Sequence, residues 1–292
     1  MSFFLRNFNL DQLYWYLEFG PSKRKISPDE LKKNLHEIDR PVFFLSTGRT
    51  GTKWFAKLFS YDRKLKAIHA PAPDLAAQNI FAYLLQKEQQ YKKEQLNDIM
   101  SQIFMAGRET YLRYSYKCMR RYLETNNHIT FFAYAIAELL PQARFIHIHR
   151  HPGDFVSSGL KRSWFQENSA AIRQIEPSEH DSAVSWSVLN PIQKIGWLWN
   201  ETNEFIEDFK STVPKERVFT FNFSEMNVES LNELITFTEA KVSESKVKSL
   251  MKKKINSQHF KSSELYESWN SKDKQDLAEV CNPLASRYGY ML

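Results

Sequence analysis

Residues 42–59 read VFFLSTGRTGTKWFAKLF, and the reading of this stretch decides the fold. Val42, Phe43, Phe44 and Leu45 form a short, bounded apolar run of the kind that makes a strand buried on both faces. Gly48 and Gly51 bracket Arg49 and Thr50, so the backbone can turn tightly and aim its N–H groups at one point. After Thr52 the apolar residues fall at Trp54, Phe55, Leu58 and Phe59, the one-sided spacing of a helix packed on a sheet. A helix N-terminus with two cations (Arg49, Lys53) and two hydroxyls (Thr50, Thr52) is equipped to hold a phosphate or sulfate.

The loop alone leaves two other readings open. One is a plain strand-to-helix turn whose Gly and Thr serve as turn and cap residues. The other is a nucleotide kinase's P-loop, which needs G-x-x-x-x-G-K-[ST]. Here the lysine falls one position late and Trp54 replaces the hydroxyl that would hold magnesium. The loop therefore suits an anion better than the usual magnesium nucleotide.

Working outward, the segment before Arg40 and Pro41 reads as an N-terminal helical addition over residues 1–38, with Gly20, Pro21 and Pro28 between an aromatic helix at residues 3–19 and LKKNLHEI. Trp15, Tyr14 and Tyr16 also suit a membrane interface, but a helix packed on the protein's own surface is the preferred reading. Downstream, Leu65–His69 predicts a second strand, and Pro71 and Pro73 force an extended loop that places His69 and Asp74 past its C-terminal end. Leu75 to about Leu123 reads as helical, and Ile129–Leu140 as a largely buried helix closed by Pro141. ARFIHIHR then alternates as a strand, Arg150–Asp154 follow as a charged loop, and a helix begins in FVSSGLKRSW. Residues 166–182 read as a mobile polar loop, Trp186–Phe209 as helix, RVFTFNFSEM as strand, VESLNELITF as helix and the last twenty-odd residues as an amphipathic helix.

Strands alternating with helices predict a parallel sheet whose C-terminal ends lie on one side. Arg150 and Ser158 are thus expected to face the same crevice as Arg49 and Thr52. The expected architecture is one α/β domain over residues 1–292, a three-layer sandwich around a mostly parallel sheet, with its core at 41–292.

The 292 residues are 42% hydrophobic and 14% aromatic, enough to bury a large core. Forty Lys and Arg against 34 Asp and Glu give a net charge of +6, which favours anionic ligands without requiring nucleic acid. Two cysteines, Cys118 and Cys281, are too few for a disulfide framework or a Cys-rich zinc site. They point to a reducing, cytoplasmic setting. No stretch reaches the roughly 18 uninterrupted apolar residues of a spanning helix, and no signal-peptide pattern opens the chain.

Taken together, two motifs resemble the sulfotransferases that use 3′-phosphoadenosine 5′-phosphosulfate (PAPS). STGRTGTKWFAKLF is similar to their P-[KR]-S-G-T-[TK]-[WFL] loop, with Arg49 at the basic position, and HRHPGDFVSSGLKR matches their R-[DNH]-P-x-D-x-x-x-S at Arg150, Pro152, Asp154 and Ser158. VFTFNFSEM and the closing helix echo later elements of the family. The resemblance implies a P-loop-like sulfotransferase fold. In it Arg49, Thr50, Gly51, Thr52 and Lys53 hold the 5′-phosphosulfate, Trp54 stacks on adenine, and Arg150 and Ser158 bind the 3′-phosphate. Lys254 is the candidate for the basic residue that relatives often add near the C-terminus.

The implied reaction is in-line transfer of a sulfuryl group to a hydroxyl or amine of a carbohydrate or small metabolite. It needs no metal, since positioned cations and amides can stabilise the transfer. Lys53 is expected to assist at the sulfuryl group. Many bacterial relatives carry H-E-P after the second strand, whereas this chain has His69-Ala70-Pro71. His69 is therefore the first candidate for the general base, with Asp74 and Glu124 as substitutes. The missing glutamate also leaves open a non-catalytic protein that binds the desulfonated nucleotide, PAP, or sulfate.

Overall fold

The computed structural model describes residues 34–87, 91–166, 174–177, 186–253 and 265–292. At its centre is a five-stranded sheet made of β1 (Val42–Leu45), β2 (Leu65–Ile68), β3 (Arg121–Glu124), β4 (Arg144–His149) and β5 (Val218–Asn222). The strand order is β2-β3-β1-β4-β5, and every pairing is parallel. The helices are α1 (Thr52–Phe59), α2 (Ala76–Lys87), α3 (Lys93–Lys117), α4 (Ala133–Leu139), α5 (Pro152–Leu160), α6 (Pro191–Thr212), α7 (Val228–Phe237), α8 (Glu244–Met251) and α9 (Ser271–Arg287).

The apolar run in β1 explains the layering. Successive side chains of a strand point to opposite faces. Phe43 and Leu45 accordingly enter one core with residues of α2–α6 and α9, while Val42 and Phe44 enter the other with residues of α1, α7 and α8. All four are fully buried. The Phe43 ring lies 5.9 Å from Phe104 and 6.2 Å from Phe145, and Phe44 lies 5.6 Å from Phe55 and 5.9 Å from Phe59. Burying each such ring contributes roughly 1.5–3 kcal/mol, so β1 ties both helical layers to the sheet.

The fifth strand is a correction to the helical reading of residues 75–123. The helices stop at Lys117, and Arg121–Glu124 enters the sheet between β2 and β1. Arg and Glu at the ends of RYLE hide a strand from a periodicity argument, and its ladders to β1 and β2 are backed by a contact 16 residues back in the chain. Glu124, fully buried, is paired with Arg108 of α3: Nε and Nη2 of Arg108 donate to its carboxylate at 2.8–3.0 Å. Tyr122 Oη and Asn126 Nδ2 donate to the same carboxylate at 2.7 and 3.1 Å. Two further boundaries moved. Residues 127–132 form a 3₁₀ turn ahead of α4. α6 starts at Pro191, where Asn190 and Gln193 form a reciprocal cap and proline occupies the first helical position.

The Arg108–Glu124 unit also anchors the loop after β2. Arg108 Nη1 donates to the Pro73 carbonyl at 2.8 Å, Tyr111 Oη to the Ala72 carbonyl at 2.8 Å and Asn126 Nδ2 to the Asp74 carbonyl at 3.1 Å. The expected helix at 3–19 and Lys254 lie outside the described residues, as does most of the 166–182 loop. Among the described residues, no helix is long and apolar enough to cross a membrane.

A buried charge stripped of its partner is costly, typically about 3–5 kcal/mol. Arg108→Met is therefore expected to destabilise the protein by about that amount in urea denaturation, and adding Glu124→Leu to recover part of the loss. A loss under about 1 kcal/mol for Arg108→Met would mean the pair does not hold β3 in place.

Candidate functional site

Parallel strands release the chain on one edge, and the loops after β1, β2, β3 and β4 gather there. The β1 loop is wound by left-handed residues: φ is 79° at Gly48, 58° at Arg49 and 71° at Gly51. Glycine is required at position 51 for space as well, because a Cβ there would sit 2.5 Å from the Phe223 ring. At Gly48 a Cβ would press on Asn127 at 3.0 Å. α1 then starts with no side-chain cap and no acidic residue in its first turn, so the positive end of its dipole is left to the loop. Thr50 is fully buried, and its Oγ1 has no hydrogen-bond partner among the described residues. A loop of this shape with an orphaned hydroxyl fits an oxyanion.

The β4 loop delivers the second group. Pro152 opens α5, and His151 Nδ1 accepts from Gly153 N–H at 3.1 Å as its cap. Ser158, one turn further, is buried and receives two arginines from different parts of the chain. Arg49 Nε donates to its Oγ at 3.0 Å, and Arg162 Nη1 donates to its Oγ at 3.1 Å and its carbonyl at 2.8 Å. Arg150 Nη1 donates to the Arg49 carbonyl at 3.2 Å, and its guanidinium lies 5.8 Å over the Phe223 ring. Asp154, 3.3 Å from Arg150, is the carboxylate paired with this group.

Burial, with Arg162 and Arg150 nearby, pushes the Arg49 guanidinium down to about 10. Burial also lowers that of Arg162. Cations crowded this way are costly without an anion. Thus the structure brings together Arg49, Thr50, Arg150 and Ser158 as expected. It adds Arg162, which the sequence reading passed over although it stands four residues after Ser158, one helical turn along the same side.

The other named residues divide. Thr52 and Lys53 open α1 as expected. Trp54 is only 7% exposed and packs edge-on against Phe55 at 5.3 Å, so most of its surface is in the core. His69 is exposed past the end of β2, and its Nδ1 lies 2.7 Å from the Thr125 carbonyl. A carbonyl only accepts, so Nδ1 carries the proton and the basic lone pair is on Nε2. Asp74 Oδ1 accepts from Ala76 N–H at 3.1 Å, at the start of α2. Glu124 sits inward, its carboxylate occupied by Arg108, Tyr122 and Asn126. Beside the β1 loop is a cavity of about 20 Å³, lined in part by Thr47, Asn127, His128, Thr202 and Ile175.

Behind Arg150, β4 carries His147 and His149 into the core. Burial, then the nearby His147 and Lys210, lowers His149 to about 3. A histidine held neutral in the fold but titrating near 6.5 when unfolded stabilises the fold fully above pH 6.5, and the contribution is lost as pH falls toward 3. Melting temperature measured from pH 7 to 4 is expected to fall more steeply for the wild type than for His149→Asn, by up to about 1.4 kcal/mol per pH unit in stability. Parallel profiles would show that His149 is not held neutral.

Comparison with known proteins follows the same lines. The family described as "Sulfotransferase family" matches residues 41–239. No curated protein matches the chain. Among solved structures, a sulfotransferase from Mycobacterium avium superposes with a TM-score of 0.54 at 13% identity, covering 96% of this chain and 82% of that one. A sulfotransferase domain from the Synechococcus PCC 7002 olefin synthase gives 0.51 at 15%, covering 89% and 100%. One from the curacin biosynthetic pathway gives 0.51 at 14%, covering 87% and 99%. At these identities the likeness speaks for the fold.

Proposed function

We propose that this chain, which belongs to the sulfotransferase family, moves a sulfuryl group from PAPS to a hydroxyl or amine of a small polar acceptor such as a carbohydrate. The observation that carries this reading is the meeting of Arg49 and Arg162 on Ser158, with Arg150 bonded to the Arg49 backbone, beside a loop that leaves Thr50 Oγ1 unpartnered. Two anion-binding features side by side suit a nucleotide with two separated anionic ends. Residues 48–53 take the 5′-phosphosulfate, while Arg150, Ser158 and Arg162 take the 3′-phosphate that ATP lacks.

In the reaction the acceptor oxygen forms a bond to sulfur as the bond from sulfur to the bridging phosphate oxygen breaks, and PAP leaves. Lys53 and the amides at the start of α1 stabilise the charge gathering on the leaving oxygen. His69 Nε2 takes the acceptor proton, its ring oriented by the Nδ1–H bond to Thr125. Glu124, with its acceptor positions taken by the core, supports that histidine instead: through Arg108 and Asn126 it fixes the loop 69–75. The polar side chains of Thr47, Asn127, His128 and Thr202 line a cavity beside the β1 loop with room for about one water.

The first test is thermal. At a hundred times its Kd, PAP is expected to stabilise the protein by about 2.7 kcal/mol, a rise of roughly 5–10 °C, while magnesium-ATP does much less. Stabilisation by ATP with indifference to PAP would overturn the reading. In transfer assays with labelled PAPS and an acceptor panel, His69→Ala is expected to cut kcat by about 10²–10⁴-fold and leave PAP affinity within about twofold. Unchanged turnover would move the base to Asp74, and PAP binding with no turnover on any acceptor would mark a binding protein.

A further inference from the structure

Arg150 is the first residue after β4, and Phe223, over which its guanidinium lies, is the first after β5. The backbone ladder between these strands ends at the pair His149↔Asn222. Past that pair the strand ends are free to separate unless side chains hold them, and the spacing between Arg150 and Phe223 depends on it.

The C-terminal tail reaches this point. α9 ends at Arg287, and Gly289 adopts φ 79°, turning the chain back so that Tyr290 N–H bonds the Ala285 carbonyl at 2.9 Å. Tyr290, only 8% exposed, then lies against the sheet. Its hydroxyl is 2.7 Å from Asn222 Oδ1 and 2.8 Å from His149 Nδ1. Asn222 Oδ1 also accepts from Ser224 N–H at 3.0 Å, which identifies it as the oxygen. Tyr290 O–H therefore donates to Asn222, and the same oxygen accepts from His149 Nδ1–H.

One hydroxyl thus bridges the side chains of the last cross-strand pair. Around it, His151 N–H donates to Ser224 Oγ at 3.0 Å, and Trp199 Nε1–H holds the Arg150 carbonyl at 2.9 Å. The His149 ring is clamped from the other side by Tyr288, stacked at 4.1 Å.

We propose that Tyr290 is a positioning residue for the 3′-phosphate subsite: by joining His149 to Asn222 it sets Arg150 against Phe223 at the geometry that selects a nucleotide bearing a 3′-phosphate. The proposal rests on the assignment of that phosphate to Arg150 and Ser158. Tyr290 touches no reacting atom, so its effect falls on binding and selectivity and not on the chemical step.

The test is calorimetric titration of the full chain with PAP and with 5′-AMP, which lacks only the 3′-phosphate. The wild type is expected to bind PAP more tightly than AMP. Tyr290→Phe keeps the ring and removes the bridge; it is expected to weaken PAP about tenfold, leave AMP within twofold, raise the KM for PAPS and leave kcat within twofold. Asn222→Leu removes the bridge from the other strand and is expected to give the same selective loss, which covers the case in which Tyr290→Phe fails to fold. Equal loss for PAP and AMP, or no loss for either, overturns the inference while the PAPS reading stands. A wild type that does not distinguish PAP from AMP overturns both.

Discussion

The in-register parallel pairing of β1 with β4 is the constraint on which the rest of this structure depends. Val42–Leu45 runs beside Arg144–His147, so the two strands surrender their chains at one edge, and the glycine-wound loop after β1 meets the start of α5. Without that pairing, Arg49 and Ser158 are 109 positions apart in the chain and have no reason to meet. The pairing holds because Phe43 and Phe44 place large rings on opposite faces of the same strand. Each helical layer therefore presses on β1, and sliding it by one residue would exchange the two cores.

Stability and function pull against each other at that edge. Arg49, Arg150 and Arg162 stand close together, and Arg49 is held cationic against burial and two like charges. Elsewhere in the core the fully buried Arg108 is neutralised locally by Glu124. Under the proposed function, a bound polyanion would relieve that crowding and gain selectivity from it. The orphaned Thr50 hydroxyl belongs to the same logic.

Particular residues show where sequence reasoning reaches and where it stops. The β1 loop was legible because left-handed geometry has a residue signature: two glycines three positions apart beside hydroxyls and cations. The β4–α5 unit was legible because an apolar alternation ended in a charge and a proline. β3 was not, since RYLE reads as the continuation of a helix and is a strand through its pairing with β1 and β2, with Arg108 neutralising Glu124. Glu124 looked available for proton transfer, and its burial beneath Tyr122 and Asn126 is a tertiary fact. Arg162 was in view in GLKR, but nothing local distinguishes a cation that bonds Ser158 from one in solvent. Trp54 was read for its ring, whereas the helix turns it into the core.

By itself the sequence determined the α/β class, the parallel sheet, the two motif-bearing loops after β1 and β4 and the family they resemble. These are written in short-range patterns, since hydrophobic period, glycine placement and helix-start chemistry act over a few residues. The tertiary structure alone decided the strand order with β3 inside the sheet, the meeting of Arg49 and Arg162 on Ser158 with Arg150 beside them, the Nδ1–H bond of His69 to Thr125 and the burial of Glu124. It also decided the reach of Tyr290 to the ends of β4 and β5. Each of these depends on contacts between residues from 16 to more than a hundred positions apart, where the free energy of packing, and no local preference, selects the partner.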